Sequence, residues 1–229
     1  MRAMILAAGR GERMRPLTDS SPKPLLAVAG KPLIVWHIER LARAGILDIV
    51  INHAWLGHMI EKALGDGRAF GVNIQYSAEP VALETAGGIA TALPLLGTEP
   101  FLVINADIWC DWDPAQTDTI AKTLQERACQ AWLLMVPNPE HHPMGDFALA
   151  THGLVDTAGA ICHTFSGIGV YQPAFFSHTP AHQPAKLAPL LREAMGHKQV
   201  LGDRYDGVWI DVGTPSRLKA LDQLLQGKH

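Results

Sequence analysis

A loop rich in glycine and arginine follows the first apolar segment of the chain. Gly9 and Gly11 carry no side chain, so the backbone can curl and consecutive N–H groups can converge on an oxyanion. Three arginines lie within six residues here, and a guanidinium group suits the paired hydrogen bonds that phosphate oxygens accept: Arg10, Arg13 and Arg15. The loop is predicted to bind phosphate, although a bare G-x-G also occurs in ordinary tight turns.

Two common phosphate-binding loops do not fit this segment. The dinucleotide fingerprint needs a third glycine where the chain has Met14. It also needs an acidic residue at the end of the second strand, where the chain has Asn52 and His53. The Walker A pattern is absent from the sequence. A dinucleotide-dependent oxidoreductase is therefore disfavoured.

A lysine lies between two prolines shortly after the loop. Pro22 and Pro24 restrict the backbone and so aim the ammonium group of Lys23. The alternative is a solvated lysine in a surface turn. Together with the clustered arginines, this segment favours an anion-binding loop over an ordinary turn.

Two aspartates each follow an apolar strand. Asp107 and Asp211 could meet over the carboxyl edge of a sheet and hold Mg²⁺ through oxygen ligands. Taken alone, each aspartate could equally be a helix cap or a turn former. Asp111 and Asp113 are nearby alternatives, and Asp113, which precedes a proline, is expected to cap a helix.

Apolar strands and amphipathic helices that alternate along the first half must position these groups. This rhythm predicts a parallel, doubly wound sheet with helices on both faces. The predicted strands are 4–7, 48–52, 72–76 and 101–104, and the predicted helices are 32–44, 56–64 and 85–93.

The second half is less regular, and some of its strands could run antiparallel. The predicted class is α/β, with three layers around a mostly parallel, mixed sheet. We expect one domain over residues 1–229, with a nucleotide-type half at 1–112 and a substrate-reading half at 113–229. Its predicted strands are 131–136, 147–149, 161–170 and 208–210, and its predicted helices are 114–127, 186–195 and 215–225.

Composition restricts the functional class. The net charge of −3 argues against a broad basic surface for nucleic acid or an anionic membrane. No apolar run is long enough to span a bilayer, and Gly9 and Arg10 end the N-terminal apolar run too early for a signal peptide. Three scattered cysteines are typical of a reduced chain, so we expect a cytoplasmic protein. The oligomeric state cannot be derived from these features.

Two motifs together carry a resemblance to a known family. L-A-A-G-x-G-x-R-M-x-P-L-T at 6–18 and P-K-P-L at 22–25 resemble the signature of the sugar-1-phosphate nucleotidyltransferases. The resemblance implies a Rossmann-like nucleotide-diphospho-sugar transferase fold, and the joining of a nucleoside triphosphate to a sugar 1-phosphate with release of pyrophosphate. Enzymes that attach guanylate to molybdopterin share the opening loop but lack the Pro-Lys-Pro, so they fit less well.

The resemblance also implies roles for individual residues. Segments 105–107 and 209–214 look like the two metal-binding segments of the family, so Asp107 and Asp211 are expected to hold Mg²⁺, the expected cofactor. Arg13 and Lys23 are the expected catalytic residues. The expected nucleotide-binding residues are Ala8, Gly9, Gly11, Glu12, Arg13, Lys23, Thr85, Gly87 and Asn105.

Two places depart from the family pattern. Glu84 stands where members often carry glycine, so only Thr85 and the backbone are carried over, and Thr85 could instead cap a helix. Segments 145–147 and 165–170 resemble the sugar-side segments, which makes Asp146, Ser166 and Gly167 the expected sugar-binding residues. Many relatives carry a Glu-Lys-Pro segment before the second of these, but residues 155–162 contain no lysine, which puts the usual sugar-phosphate contact in doubt.

Within the family, segments 50–57, 84–88 and 165–168 are similar to those of short bacterial uridylyltransferases that act on N-acetylmuramic acid 1-phosphate. That similarity implies UTP as donor, small-molecule partners only, and a place in peptidoglycan recycling. A mannose- or glucose-1-phosphate enzyme using GTP or another nucleotide remains an alternative. A non-enzymatic alternative is a nucleotide-sugar sensor that keeps the fold and loses the metal.

Overall fold

The computed structural model describes residues 1–227. The strands β1–β13 are, in chain order, Arg2–Leu6, Ala27–Val28, Lys31–Pro32, Asp48–His53, Asn73–Ala78, Phe101–Asn105, Ile108–Cys110, Ala131–Val136, Phe147–Leu149, Val155–Asp156, Cys162–Tyr171, Val200–Arg204 and Trp209–Asp211. The helices α1–α7 are Leu17–Ser20, Leu33–Arg43, Gly57–Leu64, Glu84–Leu96, Thr117–Glu126, Leu187–Gly196 and Pro215–Gln226.

The first half forms a parallel sheet in the order β5-β4-β1-β6. The central strand β1 buries Ala3, Met4 and Ile5 completely, because helices cover both faces of the sheet. The strands and helices predicted for this half are confirmed, with ends shifted by a few residues. All four strands are parallel, so their carboxyl ends lie at the same edge of the sheet, which is where ligands bind in such sheets.

The second half extends this sheet with antiparallel pairs. Strand β11 pairs antiparallel with β6, β8 and β9, and β8 then pairs parallel with β12. The predicted mixed, mostly parallel sheet is confirmed. Strand β12 was not predicted, because Gly202 and the charged Asp203 and Arg204 interrupt its apolar pattern.

Helices pack against both faces, which confirms the three layers. One apolar cluster joins the sheet to α2, α3 and α5, and a second joins its other face to α4 and α6. A third, smaller cluster packs α7 against Met14, Val28 and Trp109, beside the glycine loop. Within residues 1–227, no helix is long and apolar enough to cross a membrane.

A buried histidine supports the strand that follows the candidate metal ligand Asp107. His37 on α2 donates a hydrogen bond from Nε2 to the carbonyl oxygen of Ile108 over 2.8 Å. Burial disfavours the charged imidazolium and lowers the pKa of His37 from 6.5 to about 4. The folded protein therefore holds His37 neutral at pH values where the unfolded chain protonates it.

This difference predicts a pH dependence of stability. Below pH 6.5 the unfolded chain binds a proton at His37 that the folded protein refuses until the pH falls to about 4, so the free energy of unfolding falls across this window. Between pH 7 and pH 5 we expect His37 to lower the free energy of unfolding by about 2 kcal/mol. Urea denaturation at both pH values measures it. His37→Gln keeps a donor for the carbonyl and should show a smaller loss; an identical loss in both proteins would contradict the assignment.

Candidate active site

A cavity of about 540 Å³ opens at the carboxyl ends of β1 and β6. A volume of this size accommodates a nucleotide-sized ligand. Of the residues expected to bind nucleotide, eight line it: Ala8, Gly9, Gly11, Glu12, Arg13, Lys23, Thr85 and Asn105. Gly87 lies outside this lining, and a side chain there would collide with the backbone oxygen of Gln183. Gly87 therefore allows α4 to pack closely against residues 183–185.

The glycine loop is held in a conformation that needs glycine at one position. Gly11 has φ +63°, in the left-handed region, and its carbonyl oxygen accepts hydrogen bonds from Met14 N and Thr18 Oγ1. A Cβ at Gly11 would lie 3.0 Å from Thr18 Cγ2 and 3.2 Å from Lys23 Cβ. Gly11 thus lets the loop pack directly against the stem of Lys23.

The three arginines of this loop point to different places. Arg13 lines the cavity, whereas the guanidinium of Arg10 lies 4.6 Å from the centre of the Trp55 ring. Arg15 Nε forms an exposed ion pair with Asp19 Oδ1 at 3.1 Å. Arg13 is therefore the arginine of the loop that the structure places at the cavity.

Lys23 is buried rather than solvated, so the interpretation as a surface lysine is wrong. Its side chain is 8% exposed, and Nζ lies 2.6 Å from Asp107 Oδ2, whose side chain is 45% exposed. A buried ammonium group is costly unless it is paired. The pair therefore fixes a cation in the cavity wall and leaves the other side of Asp107 open.

The two candidate metal ligands sit on neighbouring backbone segments. Strand β13 pairs antiparallel with β7, and Val212 N donates a 2.8 Å hydrogen bond to the carbonyl oxygen of Asp107. The side chain of Asp211 has two nitrogen neighbours: its Oδ1 lies 3.2 Å from Arg217 Nη1 and 3.1 Å from His141 Nε2. The segments that carry the two aspartates thus meet at one corner of the site, where Asp107 lines the cavity and Asp211 lies outside its lining.

This donor set fits Mg²⁺ in its chemistry. Among residues 1–227, no cluster of three or more histidines, cysteines, aspartates or glutamates could hold a metal by itself. Mg²⁺ usually takes one or two carboxylates and completes its shell with phosphate oxygens and water. The pair Asp107 and Asp211 meets that requirement only together with a phosphate-bearing substrate.

A buried hydrogen-bond network that the sequence did not reveal ties the cavity walls together. Asn52 Oδ1 accepts from Ala7 N at 2.9 Å, and Asn52 Nδ2 donates to Glu79 Oε1 at 2.6 Å. Glu79 Oε2 in turn accepts from Leu83 N at 2.8 Å. This chain of contacts fixes the start of the glycine loop relative to the segment that carries Thr85. The sequence signal for Asn52 is its place at the end of a strand, where ligands bind in such sheets.

The three expected sugar-binding residues lie outside the lining of this cavity. Gly167 has φ +82°, and a Cβ there would lie 2.5 Å from Asn105 Nδ2, so β11 approaches the cavity at this glycine. Ser166 is buried, and its Oγ accepts a hydrogen bond from Ile168 N. Asp146 Oδ2 accepts from the backbone N–H of Phe165 at 2.8 Å, which ties its loop to β11.

Helix α4 begins without the expected cap. It starts at Glu84, and no side chain caps it, so the interpretation of Thr85 as a helix cap is wrong. By contrast, Asp113 Oδ1 accepts from Ala115 N, as expected of a cap. Glu84 itself has φ +59°, a left-handed conformation in which side chains are strained, and its side chain is exposed at the cavity.

The chain is similar to known proteins in sequence and in fold. Residues 2–157 match the family model described as nucleotidyl transferase. The N-acetylmuramate alpha-1-phosphate uridylyltransferase of Neisseria meningitidis serogroup B is 56% identical over 98% of each chain. The enzyme of the same name from Caulobacter vibrioides is 36% identical over 97% of this chain and 96% of its own. A Bacillus anthracis structure with sucrose, described as a glucose-1-phosphate thymidylyltransferase, superposes with a TM-score of 0.84 at 21% identity, covering 98% of this chain and 94% of its own.

The strain at Glu84 predicts the effect of a glycine there. Glu84→Gly should raise the free energy of unfolding by about 1 kcal/mol, because glycine adopts this conformation without a steric penalty. Lys198→Gly is a matched control, since Lys198 also has a positive φ of +57° and is exposed outside the cavity lining. Urea denaturation should show a similar gain for both variants. A lower free energy of unfolding for Glu84→Gly would contradict the inference that the backbone is strained at Glu84.

Proposed function

The chain belongs to the nucleotidyl transferase family, and from this premise we propose that it transfers the uridylyl group of UTP to N-acetylmuramic acid 1-phosphate. The products are a nucleotide sugar and pyrophosphate, and the reaction serves peptidoglycan recycling. The observation that carries the proposal is that the phosphate-suited loop, Lys23 and Asp107 line one cavity. The two uridylyltransferase relatives, which match nearly the whole chain, support the choice of substrates.

The reaction needs positioning and charge neutralisation more than proton transfer. An oxygen of the sugar phosphate attacks the α-phosphorus of UTP, and the bond to pyrophosphate breaks in line. The attacking oxygen is already ionised near neutral pH, so no general base is required. The protein must bring two polyanions together and compensate the charge that builds up between them.

The residues of the cavity divide this task. The N–H groups of the glycine loop and Arg13 bind the triphosphate, and Lys23 binds the α-phosphate and the attacking phosphate. Asp107 and Asp211 would hold Mg²⁺, and the chemistry that the ion would supply is neutralisation and orientation of phosphate oxygens. No covalent intermediate is needed.

The two halves of the chain divide substrate recognition in the proposal. Residues 1–112 bind the nucleotide, with Thr85 on the side of the base and ribose and Asn105 in the wall of the same cavity. Residues 113–229 bind the sugar. There, Asp146 accepts hydrogen bonds from hydroxyl groups, with Ser166 and Gly167 beside it. The close approach of Gly167 to Asn105 supports this placement, because it joins the two halves at the cavity.

The cellular setting follows from the substrates. A reaction that consumes UTP needs the compartment that supplies it, so we place the enzyme in the cytoplasm. Its partners in the proposal are the two small-molecule substrates.

A substrate panel tests the proposed function directly. Pyrophosphate release is measured with each of UTP, GTP, dTTP and ATP against the 1-phosphates of N-acetylmuramic acid, mannose and glucose, with Mg²⁺ present. We expect the highest kcat/KM for UTP with N-acetylmuramic acid 1-phosphate. A preference for GTP with mannose 1-phosphate would overturn this choice, and release from no pair would favour a nucleotide-sugar sensor.

The roles of Lys23 and Asp107 predict the effect of removing either group. Lys23→Ala and Asp107→Asn should each lower kcat by about 10²- to 10³-fold, the usual cost of losing one preorganised electrostatic group. Lys122→Ala, which removes an exposed lysine on α5, is the matched control and should leave kcat unchanged. Circular dichroism verifies folding. Near-full turnover by a folded variant would refute the role of the residue it replaces.

A further inference from the structure

Two guanidinium groups converge at the border between the nucleotide cavity and the second half of the chain. A Cβ on Gly213, which lines the cavity, would lie 2.1 Å from Arg217 Nη2 and 3.2 Å from Arg13 Nη2. Arg217 Nη1 lies 3.2 Å from Asp211 Oδ1 and 2.6 Å from His141 Nε2. Gly213 thus leaves room for two like charges to meet, an arrangement that an anion between them would stabilise.

The carboxylate of Asp211 lies against only one end of the Arg217 guanidinium. Arg217 lies in the first turn of α7, where the positive end of the helix dipole disfavours a cation. Its Nε atom is buried and has no hydrogen-bond partner within the described part of the chain. Buried donors are almost always satisfied, so this guanidinium retains an unused donor that a small shift toward a bound acceptor would satisfy.

A loop from the second half orients the group. His141 lies between β8 and β9, and its Nε2 accepts the hydrogen bond from Arg217 Nη1, because a guanidinium group can only donate. Together with Asp211, the imidazole therefore fixes the plane of the guanidinium. The same loop carries Asp146, an expected sugar ligand, so Arg217 faces the side where the acceptor substrate enters.

The acceptor needs a cation that the sequence does not supply at the usual place. Residues 155–162 contain no lysine. The acceptor's phosphate must also lie next to the nucleotide's α-phosphate, at the border where Arg13 and Arg217 meet. Resting on the proposed function, we propose that Arg217, oriented by His141, binds the phosphate of the sugar 1-phosphate. Its forked donors match a phosphate monoester dianion.

Steady-state kinetics and calorimetry of Arg217 variants test this role. Arg217→Gln should raise the KM for N-acetylmuramic acid 1-phosphate by about 10- to 100-fold, the worth of one charge-assisted hydrogen bond. The KM for UTP should change less than about twofold, because Arg217 lies outside the lining of the nucleotide cavity. Lys219→Gln, an exposed charge removal on the same helix, should change neither KM. Calorimetric titration with N-acetylmuramic acid 1-phosphate should show the same weakening.

The positioning role of His141 has its own readout. His141→Leu should raise the KM for the acceptor without changing that for UTP, whereas His141→Gln, which retains an acceptor atom for Arg217, should restore it. If Arg217→Gln lowers the melting temperature, Arg217→Lys carries the test, because it keeps the charge against Asp211 but loses the fork. We expect Arg217→Lys to raise the KM for the acceptor as well.

The outcomes separate this inference from the proposed function. If the wild-type protein releases no pyrophosphate with any sugar 1-phosphate, the proposed function fails and the inference fails with it. If the wild type is active but the Arg217 variants bind the acceptor as tightly as it does, the proposed function stands and the inference is overturned. An equal rise in both KM values also overturns it, because Arg217 would then serve the whole site.

Discussion

A buried ammonium group held against a half-exposed carboxylate is the interaction on which the site depends. The Lys23–Asp107 pair, 2.6 Å long, places a positive charge in the wall of a cavity that an otherwise slightly acidic chain forms. Desolvation of the lysine is costly, so the surrounding backbone must hold it in place. Gly11 packs against its stem, and the prolines on either side restrict its backbone. Asp107 also accepts the backbone hydrogen bond from Val212, which brings the segment of Asp211 to the same corner.

Each carboxylate of this corner has a cation beside it. Lys23 neutralises Asp107, and Arg217 lies against Asp211. In the proposed reaction Lys23 and Arg217 stabilise phosphate oxygens, and the two aspartates would hold Mg²⁺, so few charges are left unmatched. A net charge of −3 is thus a poor guide to the ligands of this protein, because the phosphates meet local charges rather than the net charge.

Local sequence patterns predicted most strands and helices. The features that they did not predict depend on contacts between residues far apart in the chain. Buried parallel strands such as β1 and β6 are continuous apolar runs, so their positions were correct within a few residues. Strand β12 has a glycine and charged residues, and only its pairing with β8 makes it a strand. The sequence shows three arginines in the glycine loop, but Arg10 packs on Trp55 and Arg15 pairs with Asp19. No local pattern marks Arg217 as a site residue, because its partner His141 lies 76 residues away in the chain.

A crystal structure with Mg²⁺ and UDP-N-acetylmuramic acid, the product of the proposed reaction, directly tests whether the Lys23–Asp107 pair contacts the phosphates. We expect the pyrophosphate bridge to lie within hydrogen-bonding distance of Lys23 Nζ, with the uridine against Thr85 and the sugar toward Asp146. A bound nucleotide outside this cavity, or one whose phosphates make no contact with Lys23, would contradict the account.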